Sequence, residues 1–157
     1  MTDHKPPSIA ADEKTTLLGF LNYLRDSIAA KATGVPEPQV RTPGVASGTN
    51  LLGLIKHLTA VERFCFLGED SRSWPHTFKP NAKDTIESVL SGYRETITEA
   101  DKVIEACTDL SHPAPKPSRP GSAPTMRWLL THMIEETARH AGHADIIREQ
   151  LDSSTGR

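Results

Sequence analysis

Four long segments with apolar residues at helical spacing dominate the chain and restrict what it can fold into. They cover residues 11–33, 51–68, about 85–107 and 125–151, with leucine, isoleucine or valine recurring three and four positions apart. No segment shows the convincing alternation of apolar and polar residues that marks a half-buried strand. The pattern therefore predicts an all-α fold, a four-helix bundle in which each helix buries one apolar stripe.

Connections rich in proline and glycine separate the predicted helices. Residues 35–48 form the first of them, and residues 111–124 form the last and hold five prolines, which excludes regular structure. Both are long enough to cross an end of the bundle, so the order of the helices stays open. We expect a loose arm over residues 1–10, one domain over residues 11–151 and a polar tail over residues 152–157.

Side chains that can cap free backbone N–H groups precede three of the helices. They are Thr49 or Asn50 for the second helix, Asp84 or Thr85 for the third and Thr125 for the fourth. Gly68 is expected to close the second helix. These positions predict where each helix begins or ends.

Charge and cysteine content exclude several classes of function. The 18 lysines and arginines are scattered, and the net charge of −2 gives no field to gather phosphates, which argues against nucleic-acid binding. No apolar run approaches the roughly 20 residues that span a bilayer, and the N-terminus lacks the apolar core of a signal peptide. Cys65 and Cys107 form no CxxC motif and no disulfide framework. We therefore expect a cytoplasmic protein without a membrane partner.

One stretch of the fourth helix, HMIEETARHAGHAD (residues 132–145), places several metal-binding side chains on one stripe. With His132 taken as zero, a helical turn of about 100° per residue puts Glu136 at about 40°, His140 at about 80° and His143 at about 20°. Glu136 and His140 lie one turn apart on the same face. A solvated helix face could show the same pattern, so the neighbouring helices must decide.

His57 is the single histidine of the second helix, and its surroundings are apolar. The residues three and four positions away are Gly53, Leu54, Ala60 and Val61. A buried imidazole needs partners for its ring nitrogens, and taken alone His57 would be a core histidine bonded to a carbonyl. With Glu136 and His140 on a facing helix, it could instead hold a divalent metal and leave positions open, as catalytic sites do. A di-iron centre needs ExxH pairs on two helices, and the second helix has none.

The two helical motifs resemble a known family. LLGLIKHLTAVERF (residues 51–64) and WLLTHMIEETARHAGHADIIRE (residues 128–149) are similar to the DinB-like four-helix-bundle superfamily, and more narrowly to its actinobacterial branch related to mycothiol-dependent enzymes. The resemblance covers residues 17–151. The family places one metal-binding histidine on the second helix, which His57 matches, and two ligands one turn apart on the last helix.

Many relatives carry histidine at both of these last positions, whereas this chain has Glu136 and His140. The resulting His, Glu, His set resembles that of the mycothiol-dependent maleylpyruvate isomerases. His143 stands where many relatives have glutamine, and it could be a further ligand, a supporting group or an acid–base. His132 is also a candidate for an additional ligand, one turn before Glu136.

The resemblance implies a metal-dependent thiol transferase. A bound Zn²⁺ or Ni²⁺ would stabilise the thiolate of a small thiol, mycothiol above all, for attack on an electrophile. His57, Glu136 and His140 would then be both metal ligands and catalytic residues. Two alternatives stay open: a non-catalytic metal-binding or stress-related bundle, and a metal-dependent hydrolase that uses bound water. Relatives form dimers, so a homodimer is an open expectation as well.

The remaining notable side chains receive plainer interpretations. Cys65 is predicted to pack in the core, Glu62 to lie at the surface or in an ion pair, and Arg139 to be solvated or to bind the carboxylate of a thiol. Trp74 and Trp128 are both predicted to be packing anchors.

Overall fold

The computed structural model describes residues 5–8, 11–114, 121 and 123–155 of the chain, and the secondary structure within them is helical apart from one isolated β-bridge between Pro113 and Thr125. The elements are α1 (Glu13–Ala32), a 3₁₀ turn (Gln39–Arg41), α2 (Leu51–Glu62) with a π-helical turn (Arg63–Leu67), α3 (Trp74–Thr77), α4 (Ile86–Ala106) and α5 (Met126–Asp152). The predicted all-α bundle is confirmed. None of the helices in these ranges combines the length and apolarity needed to cross a membrane.

Side-chain caps fix the start of each long helix. Asn50 accepts a hydrogen bond from the Gly53 amide at the start of α2, and Thr125 does the same for Trp128 at the start of α5. Thr85 and Ser88 bond reciprocally at the start of α4. The sequence left Thr49 and Asp84 open as alternatives to Asn50 and Thr85, and the structure decides for the latter two.

The apolar core has two halves, and the parts of each helix that lie in each half show the direction in which that helix runs. One half joins the C-terminal parts of α1 and α5 to the N-terminal parts of α2 and α4. Its members include Ile28, Leu54, Leu90 and Ile147. The other half joins the opposite parts of the same helices, and its members include Leu21, Val61, Ile104 and Leu130. Consequently α1 and α5 run parallel to each other, and α2 and α4 run in the opposite direction.

This order requires one connection that travels the length of the bundle. Because α2 and α4 run the same way, residues 68–85 must return from the end of α2 to the start of α4. We call this segment the crossover, and it contains α3. The two Pro-rich connections join helices of opposite direction instead, each at one end of the bundle. The connection that runs the length of the bundle is therefore the crossover, which contains the aromatic residues, and not a Pro-rich connection.

The two tryptophans differ in their surroundings. Trp74, in the crossover, lies edge-on to the rings of Phe64 and His57, as expected of a packing anchor. Trp128 is 54% exposed and stacks on His132 along the outside of α5, so the prediction that it anchors the core is wrong. The reason is its angular position, because Leu129 and Leu130 take the inward-facing positions beside it.

Candidate metal centre

Three side chains from two antiparallel helices meet between α2 and α5. His57 Nε2 lies 3.2 Å from Glu136 Oε1, and His140 Nε2 lies 3.1 Å from the same oxygen. One ligand atom from each residue falls within 4.8 Å of the other two. The convergence that the sequence predicted for His57, Glu136 and His140 is thus present in the fold.

Local sequence explains why these side chains point at one another. His57 lies on the inward face of α2, which is buried along most of its length. Glu136 and His140 are one turn apart on α5, so they project over the same patch of α2. Both histidines are buried, whereas the Glu136 side chain is 14% exposed. The group therefore lies at the edge of the core, with the Glu136 side chain partly exposed.

A hydrogen-bond chain fixes the tautomer of His57. The hydroxyl of Thr77 donates to the carbonyl of Trp74 at 2.6 Å, and a hydroxyl has only one hydrogen to donate. Thr77 Oγ1 must therefore accept from Nδ1–H of His57, 2.7 Å away. Nε2 consequently carries a lone pair and no hydrogen. This is the form in which histidine binds a metal, with its other nitrogen held by a supporting group.

The crossover reaches His57 because α2 has a glycine one turn earlier. A Cβ at position 53 would overlap the carbonyl oxygen of Phe78, so Gly53 allows this backbone to lie directly against the helix. The ring of Phe78 then stacks on the imidazole of His57, with centroids 3.7 Å apart. The stacking fixes the plane of the ring, and Thr77 fixes its rotation within that plane.

Burial and mutual contacts set the charge state of the group. Burial lowers the pKa of His57 and of His140 below the ordinary histidine value, despite the opposing pull of Glu136. Burial alone would raise the pKa of Glu136, but the hydrogen bonds and positive charges that the two imidazoles provide when Nε2 carries a proton outweigh it, and the net shift is downward. At neutral pH the group therefore consists of two neutral imidazoles and one carboxylate.

These states leave Oε1 of Glu136 facing two neutral imidazoles, because the nearby guanidinium of Arg139 lies at the other oxygen. Nε2 of His57 and Oε1 of Glu136 face each other as two acceptors, an arrangement that only a proton or a metal ion between them makes favourable. Two imidazole nitrogens and one carboxylate oxygen are a donor set that suits Zn²⁺ or Ni²⁺. The residues present therefore fit a divalent transition metal.

The two further candidate histidines lie elsewhere. Nδ1 of His143 is 3.3 Å from Nδ1 of His140, on the far side of that ring from Glu136, and His143 is exposed. His132 stacks on Trp128 and approaches the carboxylate of Glu135 at 3.8 Å. His143 is thus placed to orient His140, and His132 lies outside the group of three. Any role of either as a direct ligand stays a prediction.

Arg139 occupies the exposed rim of the centre. Its Nη1 lies 3.5 Å from Oε2 of Glu136, the oxygen that does not face the histidines, and its other nitrogen pairs with Glu135. This position agrees with either sequence interpretation, a solvated arginine or a group that binds the carboxylate of a thiol.

Sequence reasoning missed the supporting residues of the crossover. Thr77 and Phe78 belong to a segment without periodicity, interpreted only as a loop with aromatic anchors. The available signal was the need of a buried imidazole for a second partner, but this need does not say which segment supplies it. Gly53 was noted as a neighbour of His57, and its role in admitting the crossover becomes visible only in the fold.

A comparison with known protein families agrees with this geometry. The family model described as mycothiol-S-transferase matches residues 16–153, which include all but the first three residues of α1, the whole of α2, α4 and α5, and the three converging side chains. Among curated proteins, no match to the chain is found. The match spans most of the chain, and on this ground the chain belongs to the mycothiol-S-transferase family.

Proposed function

We propose that the protein is a metal-dependent thiol S-transferase that joins mycothiol to a small electrophile. His57, Glu136 and His140 hold the divalent cation. The observation that carries the proposal is the convergence of two neutral imidazole nitrogens and a carboxylate oxygen within 4.8 Å, with His57 fixed by Thr77 in the metal-binding tautomer. The family match supports mycothiol as the thiol.

The nucleophile comes from solution because the part of the chain that the structure describes offers no reactive thiol at this site. Cys65 is buried near the centre, and burial together with the negative charges of Glu62 and Glu136 raises the pKa of its thiol to about 12. Such a thiol stays protonated at neutral pH and is a poor nucleophile. The predicted core position of Cys65 is confirmed.

The cation supplies one piece of chemistry when bound, since it favours the thiolate form of a coordinating thiol at neutral pH. The side chains do the rest. Glu136 supplies one negative charge that partly balances the ion, and Thr77 holds His57 in place. In the overall reaction the thiol sulfur bonds to an electrophilic carbon, the leaving group departs with its electron pair, and the thiol proton passes to solvent.

The test is conjugation of mycothiol to a bimane or to chlorodinitrobenzene, with metal content measured on protein purified without a histidine tag. We expect about one divalent ion per chain and activity that disappears when the ion is removed. Glu136→Ala should lower metal content and turnover together. Cys65→Ser is the matched control and should keep both.

Three outcomes would contradict the proposal. No uptake of added Zn²⁺ or Ni²⁺ would remove the metal centre, and full activity without metal would remove its role. Metal binding without turnover of any thiol would favour a non-catalytic bundle, whereas hydrolysis of the electrophile without thiol would favour a hydrolase. The identity of the metal and the cytoplasmic location stay predictions.

A further inference from the structure

A cavity of about 260 Å³ lies between α2 and α4, and the proposed function does not use it. Its walls include Ala60 of α2, Val89 and Gly92 of α4, and Thr77 of the crossover. We call it the α2–α4 cavity. An apolar cavity of about 150 Å³ already holds a benzene molecule. The volume between α2 and α4 therefore accommodates a molecule of one or two rings.

The hydroxyl groups in the walls of the cavity are already engaged within the chain. A hydroxyl has a single hydrogen to donate, and each of these donates it to a main-chain carbonyl. The three bonds run from Thr59 to Ile55 at 2.9 Å, from Thr77 to Trp74 at 2.6 Å and from Ser88 to Thr85 at 3.0 Å. These walls have no O–H left for a ligand, so they favour an apolar molecule over one that needs hydrogen-bond donors.

Two cationic side chains also line the cavity, and an acid balances each of them. Nζ of Lys56 lies 2.7 Å from Oδ2 of Asp84, and Nη1 of Arg63 lies 3.0 Å from Oε2 of Glu69. The two pairs carry no net charge, so they do not select an ionic ligand. Nη2 of Arg63 makes no hydrogen bond to the described residues, which leaves one edge of its guanidinium for another group. Because a cation attracts the face of a ring, the cavity suits a neutral aromatic molecule better than a saturated one.

Gly92 keeps the cavity open on the α4 side. Glycine is unfavourable in the interior of a helix. A Cβ at position 92 would meet no atom of the described chain within 4 Å, so packing within the chain does not require glycine there. Because Gly92 lines the cavity, a larger side chain at this position would occupy part of its volume.

We propose that the α2–α4 cavity is a second binding site, which takes a neutral aromatic molecule of one or two rings. Its occupant contacts Thr77, whose hydroxyl accepts a hydrogen bond from Nδ1–H of His57 at 2.7 Å. By displacing water from beside Thr77, the occupant strengthens this bond and holds His57 in its metal-binding orientation. An occupied cavity should therefore raise the affinity of the metal centre for its ion. This second effect rests on the proposed function, whereas binding to the cavity does not.

The first experiment titrates indole, a neutral two-ring molecule, into the isotope-labelled full chain and follows the amide signals by NMR. We expect saturable shifts at Ala60, Val89 and Gly92, with a Kd below about 5 mM. Cyclohexanol has an apolar body without an aromatic face and should bind about two- to fivefold more weakly. The absence of saturable shifts overturns the proposal, and so do shifts confined to other parts of the chain. Equal affinity for cyclohexanol overturns the aromatic preference.

The second experiment fills the cavity from within the chain. Gly92→Leu should keep the helical circular dichroism spectrum and raise the Kd for indole at least about tenfold, because its side chain takes the volume of the ligand. Ala60→Leu fills the cavity from α2 and should act in the same way, so the test does not depend on one variant. Gly142→Leu is the matched control, because a Cβ at this α5 position also meets nothing within 4 Å and the residue does not line the cavity. An unchanged Kd in both filling variants overturns the location.

The third experiment measures Zn²⁺ affinity by isothermal titration with and without saturating indole. We expect indole to raise the affinity about fivefold, at the lower end of coupling between two sites. Thr77→Val should still bind indole but lose this increase, because it has no acceptor for Nδ1–H of His57. An affinity for Zn²⁺ that indole leaves unchanged overturns the coupling. A protein that binds indole but no Zn²⁺ contradicts the proposed function and supports the cavity, whereas one that binds Zn²⁺ but no indole does the reverse.

Discussion

Helix α2 brings two polar side chains into the core five residues apart, and they meet opposite surroundings. Glu62 is fully buried and faces Arg25 of α1. His57 faces Glu136 and His140 of α5. The first cluster holds a buried arginine, whereas the second has only the exposed Arg139 beside the outer oxygen of Glu136.

The first cluster is complete in itself. Nε and Nη2 of Arg25 each donate to one oxygen of Glu62 at 2.7 Å, and Nη1 donates to Asp101 at 2.8 Å and to Asn22 at 2.7 Å. The guanidinium is 2% exposed. A bidentate pair of this kind compensates for the loss of water around both charges, so this cluster needs no ligand.

The second cluster also has a glutamate carboxylate, but Arg139 is exposed and lies 3.5 Å from Oε2, the oxygen that does not face the histidines. Two imidazoles contact Glu136, and both are neutral at physiological pH. The lone pair on Nε2 of His57 points at Oε1 of Glu136. The comparison teaches that a carboxylate is structural where a buried arginine bonds both of its oxygens, and that it stays available to a metal ion where one oxygen faces only imidazole nitrogens. Glu62 and Glu136 differ in their partners and not in their chemistry.

The largest effect is expected from breaking the complete cluster. Arg25→Met leaves the Glu62 carboxylate buried and unpaired, and we expect a loss of about 3–5 kcal/mol in the free energy of unfolding. Urea denaturation of the metal-free protein measures this loss. Metal affinity of the remaining folded protein should stay unchanged. A loss below about 1 kcal/mol would show that the cluster is dispensable.

Removing a side chain from the second cluster should have the opposite effect, a loss of metal affinity while the fold persists. His57→Ala takes one of three ligands away, and we expect metal affinity to fall by more than about 100-fold, beyond the range for supporting residues. The helical circular dichroism spectrum should persist, since one polar side chain leaves the core. Unchanged metal affinity with lowered stability would instead make His57 an ordinary core histidine.

A smaller effect should follow from loosening the support of His57. Thr77→Val keeps the shape of the side chain but removes the acceptor for Nδ1–H, and we expect metal affinity to fall about 10–100-fold. Thr77→Ser restores a hydroxyl and is the matched control. Isothermal titration with Zn²⁺ separates the two variants. Equal affinities in both would show that the tautomer of His57 is set in another way.

The smallest effect concerns the pH dependence of the metal-free protein. Burial lowers the pKa of His57 and His140 below the unfolded value of 6.5, so the unfolded chain binds more protons as pH falls from 7.5 to 5.5. Their contribution to stability is present above 6.5 and is lost below it, by less than about 1.4 kcal/mol per histidine for one pH unit. Urea denaturation at both pH values should show this loss, and a His57→Gln/His140→Gln variant should lack most of it.

The sequence was sufficient to predict the long helices and the convergence of His57, Glu136 and His140. Periodic apolar residues and caps predict the long helices, because the spacing of apolar residues along a helix shows which of its faces is buried. His57 could be assigned because its neighbours three and four positions away are apolar. Glu136 and His140 could be assigned because one helical turn brings them to the same face.

The contacts of the crossover and the buried ion pair could be identified only from the structure. Thr77 contacts His57 across 20 positions of chain, and Arg25 contacts Glu62 across 37, distances over which no periodicity carries information. Glu62 could be predicted only as surface or paired, and the structure shows the pair. Trp128 was misassigned because aromatic residues usually pack inside, and its angle on α5 was not weighed against those of Leu129 and Leu130.

The hydrogen bond from His57 to Thr77 ends on a main-chain carbonyl, that of Trp74, and this makes the winding of α3 part of the ligand geometry. Thermodynamic reciprocity then applies: an ion held by His57 stabilises the four-residue helix, and whatever unwinds the helix weakens the hold on the ion by the same factor. The amides of His76 and Lys79, which bond within this turn, should therefore exchange hydrogen for deuterium more slowly when the metal is bound. If the centre holds an ion, the exchange rate of these two amides would therefore report its presence.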